Sequence, residues 1–386
     1  MTNLFFIIHC LPFINIKLID FFSKLPLEIK IIWLLAVFFL TLFSIFFVTL
    51  IASRIIKNYK SRKTAIIKEK IQKPILFFLF DESMQNISSH KEKMKVIELF
   101  GKEILKNTFN RNILRKAIIN LHTNYSGEFA YKLEHLFLIL GLNKDVKKRL
   151  KSNRWHIKAS AIKEIAQMNI RKYPEYILRL INHPNANVRT EALVASVKLN
   201  RKKPFAFFEN LKFTMSDWDQ IRMHEALLFY ETAEIPLMGK WLGSPNESIV
   251  VFSLKIIGYY DHENETEQVR ECLNNPSEKI KLQAVKTLGE LSSKESLLAL
   301  FESLQKEKEN KKIFLQILQS LTLIGIYDSD VDKIKKFLET TDYDIIFESC
   351  LTLKSAPKGS EILKKIISEA DESVVDIMKY ALNYTN

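Results

Sequence analysis

Residues 275–291, NPSEKIKLQAVKTLGEL, decide the fold. Pro276 suits a turn or a first helical position, Ser277 carries an oxygen able to cap free N–H groups, and Gly289 stands near the end. Between them Ile280, Ala284, Val285 and Leu288 fall on one face at helical spacing, so the stretch reads as a short helix with one side in a core.

The same frame recurs along the chain. A turn residue is followed four positions later by Val or Ile, and four later again by a small residue. Three copies share the proline: Pro184 leads to Val188 and Ala192, Pro245 to Ile249 and Ser253, and Pro276 to Ile280 and Ala284. Looser copies start at Asn153 (Ile157, Ala161), Asp217 (Ile221), Glu309 (Ile313), Thr341 (Ile345, Ser349) and Ala370 (Val374). In the Asp217 copy Glu225 takes the small position with Ala226 beside it, which leaves two registers open. Consecutive starts at 153, 184, 217, 245, 276, 309, 341 and 370 are 31, 33, 28, 31, 33, 32 and 29 residues apart. Such a period accommodates one helical hairpin and predicts stacked hairpins over residues 151–386.

The segments Val188-Arg189-Thr190-Glu191-Ala192-Leu193, Ile280-Lys281-Leu282-Gln283-Ala284-Val285 and Ile157-Lys158-Ala159-Ser160-Ala161-Ile162 share one order: aliphatic, basic, two variable, small, aliphatic. In this they resemble HEAT or HEAT-like (armadillo-type) repeats. The resemblance implies an all-α, right-handed solenoid whose inner helices line a partner-binding face. Ankyrin and tetratricopeptide patterns are absent.

Of 386 residues 47% are hydrophobic and only nine are glycine, and alternating strand-like runs are scarce, in keeping with an all-α chain. The formal charge is +13. Cys10, Cys272 and Cys350 are far apart and form no C-x-x-C pair, which gives no basis for a disulfide framework or a zinc site.

Residues 1–30 are apolar and aromatic but interrupted by Lys17, Asp20, Lys24 and Glu28, and read as an interfacial segment. Residues 31–53 carry no charge over 23 positions. At about 1.5 Å per residue they reach roughly 34 Å, against a hydrocarbon core of about 30 Å, so a single transmembrane helix is expected there. The basic juxtamembrane segment 54–70 follows, with Arg54, Lys57, Lys60, Arg62 and Lys63 as candidate membrane-surface residues. The positive-inside rule then places the N-terminus outside and the C-terminal solenoid in the cytoplasm. Residues 71–150 keep helical patterning without the frame and read as irregular hairpins capping the solenoid. Ser88 or Ser89, Asn110 and Ser126 are their candidate caps.

Catalytic motifs are missing. His224-Glu225 is an acid–base pair adjacent in sequence, and no His-Glu-x-x-His, Walker loop or G-x-S-x-G accompanies it. No cofactor or metal site is expected. Lys158, Arg189, Arg222 and Lys281 follow the aliphatic position in four copies and are the candidate partner-binding residues. The other reading makes them rungs of an internal charge ladder, paired with acids in neighbouring turns. Trp155, Trp218 and Trp241 are read as core residues.

These features together point to a membrane-anchored HEAT-like scaffold rather than an enzyme. Its expected partners are membrane-associated proteins at the cytoplasmic face, with an inner-membrane enzyme system such as a glycosyltransferase as the example. A nucleic-acid-binding solenoid and a HEAT-like lyase are the alternatives. Nucleic acid and small-molecule substrates are not the expected partners.

Overall fold

In the computed structural model the described residues are 26–81, 84, 87 and 89–384. The reading of residues 1–30 as interfacial falls mostly on 1–25, and together with the Ser88 cap and Cys10 it lies outside the described residues. The described chain is built of α-helices and short 3-10 turns, with no strand among the described residues. It divides into two compact units, 1–140 and 141–386.

The first unit is organised by α1 (Leu27–Phe80), a continuous helix of 54 residues. Its N-terminal part is solvent-exposed on every side, and its first fully buried residue is Ile67. From there Ile67, Ile71, Ile75, Phe78 and Leu79 form one buried face that packs on α2 (His90–Lys106), α3 (Thr108–Asn124) and α4 (Glu128–Ile139). Those helices contribute Phe100, Leu114, Ile118, Leu133, Leu136 and Phe137 to the same core. Each such side chain contributes roughly 1.5–3 kcal/mol through removal from water.

Local signals set the helix starts. Ser89 and Glu92 form a reciprocal capping box, with N–H···O distances of 3.2 and 2.9 Å. Asn107, not Asn110, caps α3, accepting from the N–H groups of Phe109 and Asn110 at 2.9 and 3.2 Å. Asn110 is buried, and its amide donates to the Glu103 carbonyl at 3.3 Å.

The second unit is a helical repeat. Its inner helices are α6 (Trp155–Gln167), α8 (Ala186–Leu199), α9 (Asp217–Leu227), α10 (Glu247–Tyr259), α12 (Glu278–Leu291), α14 (Lys311–Ile324), α16 (Tyr343–Lys354) and α18 (Glu372–Asn383). The intervening helices α7 (Pro174–Leu178), α11 (Thr266–Glu271), α13 (Lys294–Lys306), α15 (Val331–Lys335) and α17 (Gly359–Glu369) pack on this row, and α5 (Leu142–Leu150) lies against α6. Side-by-side packing runs α6–α8–α9 and then α10–α12–α14–α16–α18. The inner helices begin two residues after each frame start, except α9, which begins at Asp217 itself. Ser277 caps α12, accepting from the Ile280 N–H at 3.4 Å, and Asn185, Asn246, Asn310 and Asp342 act alike in their copies.

Buried hydroxyls tie successive inner helices together. Thr287 Oγ1 donates to the Leu254 carbonyl at 3.0 Å, Ser320 Oγ to that of Val285 at 3.0 Å, and Thr352 Oγ1 to that of Leu318 at 3.1 Å. Each donor is shielded from water and satisfied on the helix before its own.

Candidate interaction surfaces

The four basic frame residues occupy different environments. Arg222 lies between two acids, with Nη1 donating to Glu225 Oε2 at 3.0 Å and Nη2 to Glu191 Oε1 at 3.4 Å, so it joins α9 to α8. Lys281 meets Glu307 at 2.5 Å. Arg189 donates to the carbonyls of His183 and Pro184, each at 3.0 Å, and its guanidinium stacks 4.4 Å from the Phe213 ring centre. Lys158 is half-buried and makes no ion pair among the described residues; its charge acts on His183, whose pKa is lowered by burial first and then by Lys158. Internal bonds therefore occupy Arg189, Arg222 and Lys281.

Around Arg222 the charges are partly desolvated. Burial pushes the Glu191 carboxyl up despite Arg222, Lys163 and Lys198, which all pull it down. Burial likewise lowers Lys198, and Arg222 lowers it further while Glu191 and Glu225 oppose. The Lys198 ammonium also sits 4.0 Å from the Phe229 ring centre.

Helix α9 departs from the frame. Ile221, expected inside, is 51% exposed, and Glu225 is exposed as well. The buried face is instead Asp219, Gln220, Met223, Ala226 and Leu227. A capping box between Ser216 and Asp219 fixes the first turn, and the buried Asp219 carboxylate also accepts the Thr190 hydroxyl of α8. This anchoring turns Trp218, Ile221, Leu228 and Phe229 toward solvent. Of the three tryptophans read as core, only Trp241 is buried; Trp155 is 46% and Trp218 61% exposed.

His224 and Glu225 point apart, as neighbours on a helix do. The imidazole lies edge-on to Tyr259, with centroids 4.2 Å apart, and burial lowers its pKa while Glu225 opposes. Glu225 instead bonds Arg222. Asp342, which caps α16, and Asp344 in its first turn share the Lys311 ammonium at 2.8 and 2.7 Å. No cluster of three or more metal-ligating side chains occurs among the described residues. Burial pushes the Cys272 and Cys350 thiols up to about 11 and about 12, and both stay free.

In the first unit Arg54, Lys57, Lys60, Arg62 and Lys63 are all exposed on α1, and among the described residues none of them is held in an ion pair. Lys63 alone leans on a neighbour, 5.4 Å from the Phe109 ring centre. The segment preceding them is long and apolar enough to cross a membrane, and nothing among the described residues buries it.

No protein-family model matches the chain, and no curated protein matches it. Among solved structures it is similar to the crystal structures of two engineered proteins. One is 15% identical, with 55% of this chain and 95% of the other covered at a TM-score of 0.30. The second is 12% identical, with 82% and 100% covered at a TM-score of 0.34.

Proposed function

We propose that this chain is a membrane-anchored scaffold: a right-handed, HEAT-like solenoid held at the cytoplasmic face of a membrane by one transmembrane helix, binding protein partners there. The observation that carries the reading is the division of α1, exposed and apolar over 31–53 and buried among α2, α3 and α4 from Ile67 onward. An apolar surface of that length without protein cover is matched by a bilayer, while its other end is fixed rigidly in a folded unit. The basic flank after Ser53 supports an outside N-terminus. The HEAT-like frame supports the solenoid, whose extended surfaces need no catalytic group.

A membrane-embedded enzyme system, for example a glycosyltransferase, fits as the partner, because the tether keeps the solenoid within reach of bilayer proteins. The nucleic-acid alternative is weakened by the internal bonds of Arg189, Arg222 and Lys281, which leave fewer cations free for phosphates. Alkaline carbonate extraction of cell membranes tests the anchor: the chain is expected in the pellet, and recovery in the supernatant would overturn it. A C-terminal reporter active only outside the cytoplasm would overturn the orientation.

A further inference from the structure

From the geometry of α1 between the apolar span and the first unit, we infer that this stalk is a docking face for an integral membrane protein carrying an acidic amphipathic helix just beyond its own membrane span. The inference rests on the membrane reading above and names the partner's chemistry.

A stripe of exposed apolar residues continues past Ser53 into the basic segment. Val48, Ala52, Ile55, Tyr59 and Ile66 are spaced four, three, four and seven apart, the a/d spacing of a helix that packs lengthwise on another. Tyr59 is 67% and Ile66 54% exposed, so no part of the described fold covers them. The position that would complete the stripe, 62, is Arg62, with Lys63 beside it.

Lipid headgroups do not account for this face. Ile66 lies 13 residues beyond Ser53, about 20 Å along the helix and still about 15 Å from the hydrocarbon edge at a 40° tilt. The interfacial zone is only about 5–8 Å deep on each side. Headgroups therefore reach Arg54 and Lys57, but not Lys63 or Ile66. A polar headgroup is also no partner for Ile66, whereas the apolar face of a helix is.

Charge selects among helices. A second copy aligned in parallel would set Arg62 against Arg62, with Lys63 adding like charge beside the seam, which opposes self-pairing. A partner helix with Glu or Asp opposite Arg62 and along the Lys63 flank satisfies both the stripe and the two unpaired cations that border it. Because α1 is continuous from the span to Ile67, the face is presented rigidly, which lowers the ordering cost of binding.

The test uses the full chain in phosphatidylcholine nanodiscs with a synthetic probe, an apolar 22-residue span followed by two heptads with Leu at a and d and Glu opposite Arg62. The control carries Lys for Glu. Energy transfer between labelled chain and probe is expected to report at least tenfold tighter association with the Glu probe at low salt, narrowing at 0.5 M. The variant Tyr59→Ser/Ile66→Ser should lose at least tenfold, and Arg62→Glu/Lys63→Glu should prefer the Lys probe. These residues are exposed, so unchanged circular dichroism is expected for both variants. Equal association of the two probes, or chain–chain transfer as strong as chain–probe transfer, would overturn the docking face while leaving the anchor intact. A chain that inserts into no disc would overturn the anchor, and the docking face with it.

Discussion

The hydroxyl of Ser320 donates to the carbonyl of Val285 at 3.0 Å, linking α14 to α12 at the place where Gly289 brings the two backbones close. A Cβ on Gly289 would lie 2.9 Å from both Cβ and Oγ of Ser320 and 3.2 Å from its Cα. The glycine therefore serves helix contact, although it lies inside a helix where alanine is intrinsically favoured by about 0.5–1 kcal/mol. Gly289→Ala is expected to destabilise the second unit by a net ~1–2 kcal/mol, since overpacking costs about 1–3 kcal/mol. Ser320→Gly removes the clashing Cβ, so a double-mutant cycle read by denaturant unfolding should give a favourable coupling; strict additivity would refute the clash.

Arg222 is the next test, because the structure makes it a rung rather than a free cation. Arg222→Glu puts a third carboxylate beside Glu191 and Glu225 and is expected to lower stability by roughly 1–3 kcal/mol. Lys158→Glu, with no ion pair to lose, should change stability by less than about 0.5 kcal/mol. Thermal melts of the two variants side by side decide the point. A stable Arg222→Glu protein would restore Arg222 as a free binding residue.

Much of this fold was legible in the sequence. Val188, Ala192, Ile249, Ser253, Ile280, Ala284 and Ile313 are all buried where the frame puts them, because turn residue, aliphatic and small positions lie within one helical start. Helix α9 broke the pattern: its register is set by Asp219, which caps its own helix through Ser216 and reaches back to Thr190 twenty-nine residues away. The Ser216-x-x-Asp219 box was readable; the bond to Thr190 depends on tertiary spacing and was not. Likewise the donors Thr287, Ser320 and Thr352 look like ordinary helix-interior residues until the preceding helix is alongside. The stalk's exposed stripe is hidden in the sequence because Ile55, Tyr59 and Ile66 are diluted among cations, and only continuity of the helix shows that nothing among the described residues covers them.

The buried thiols give a chemical readout of core integrity. With Cys272 and Cys350 pushed up to about 11 and about 12 by burial, each holds at least about 100-fold less thiolate at pH 8 than an ordinary thiol. In a Cys10→Ser background, iodoacetamide at pH 8 is expected to leave both unmodified for hours and to label both in 6 M guanidinium. Rapid labelling of the native chain at either position would contradict the packing around α11 or α16.

Histidine sets the acid side of stability. The pKa of His224 is lowered by burial, with Glu225 opposing, so between the folded value and 6.5 the unfolded chain binds more protons than the folded one. Stability from this site is thus present above pH 6.5 and lost as pH falls toward the folded value. His183, lowered by burial and by Lys158, contributes in the same direction. Glu191 and Glu290, both raised by burial, work oppositely, since their folded forms hold protons more tightly and gain stability as pH falls toward 4.5. The melting temperature should therefore decline from pH 7.5 to pH 6 before the carboxyl contribution enters. His224→Phe keeps a ring against Tyr259 but cannot titrate, and it should flatten that decline. An unchanged slope in His224→Phe would show that the imidazole is as well solvated folded as unfolded, and would remove burial of His224 as a cause of acid sensitivity.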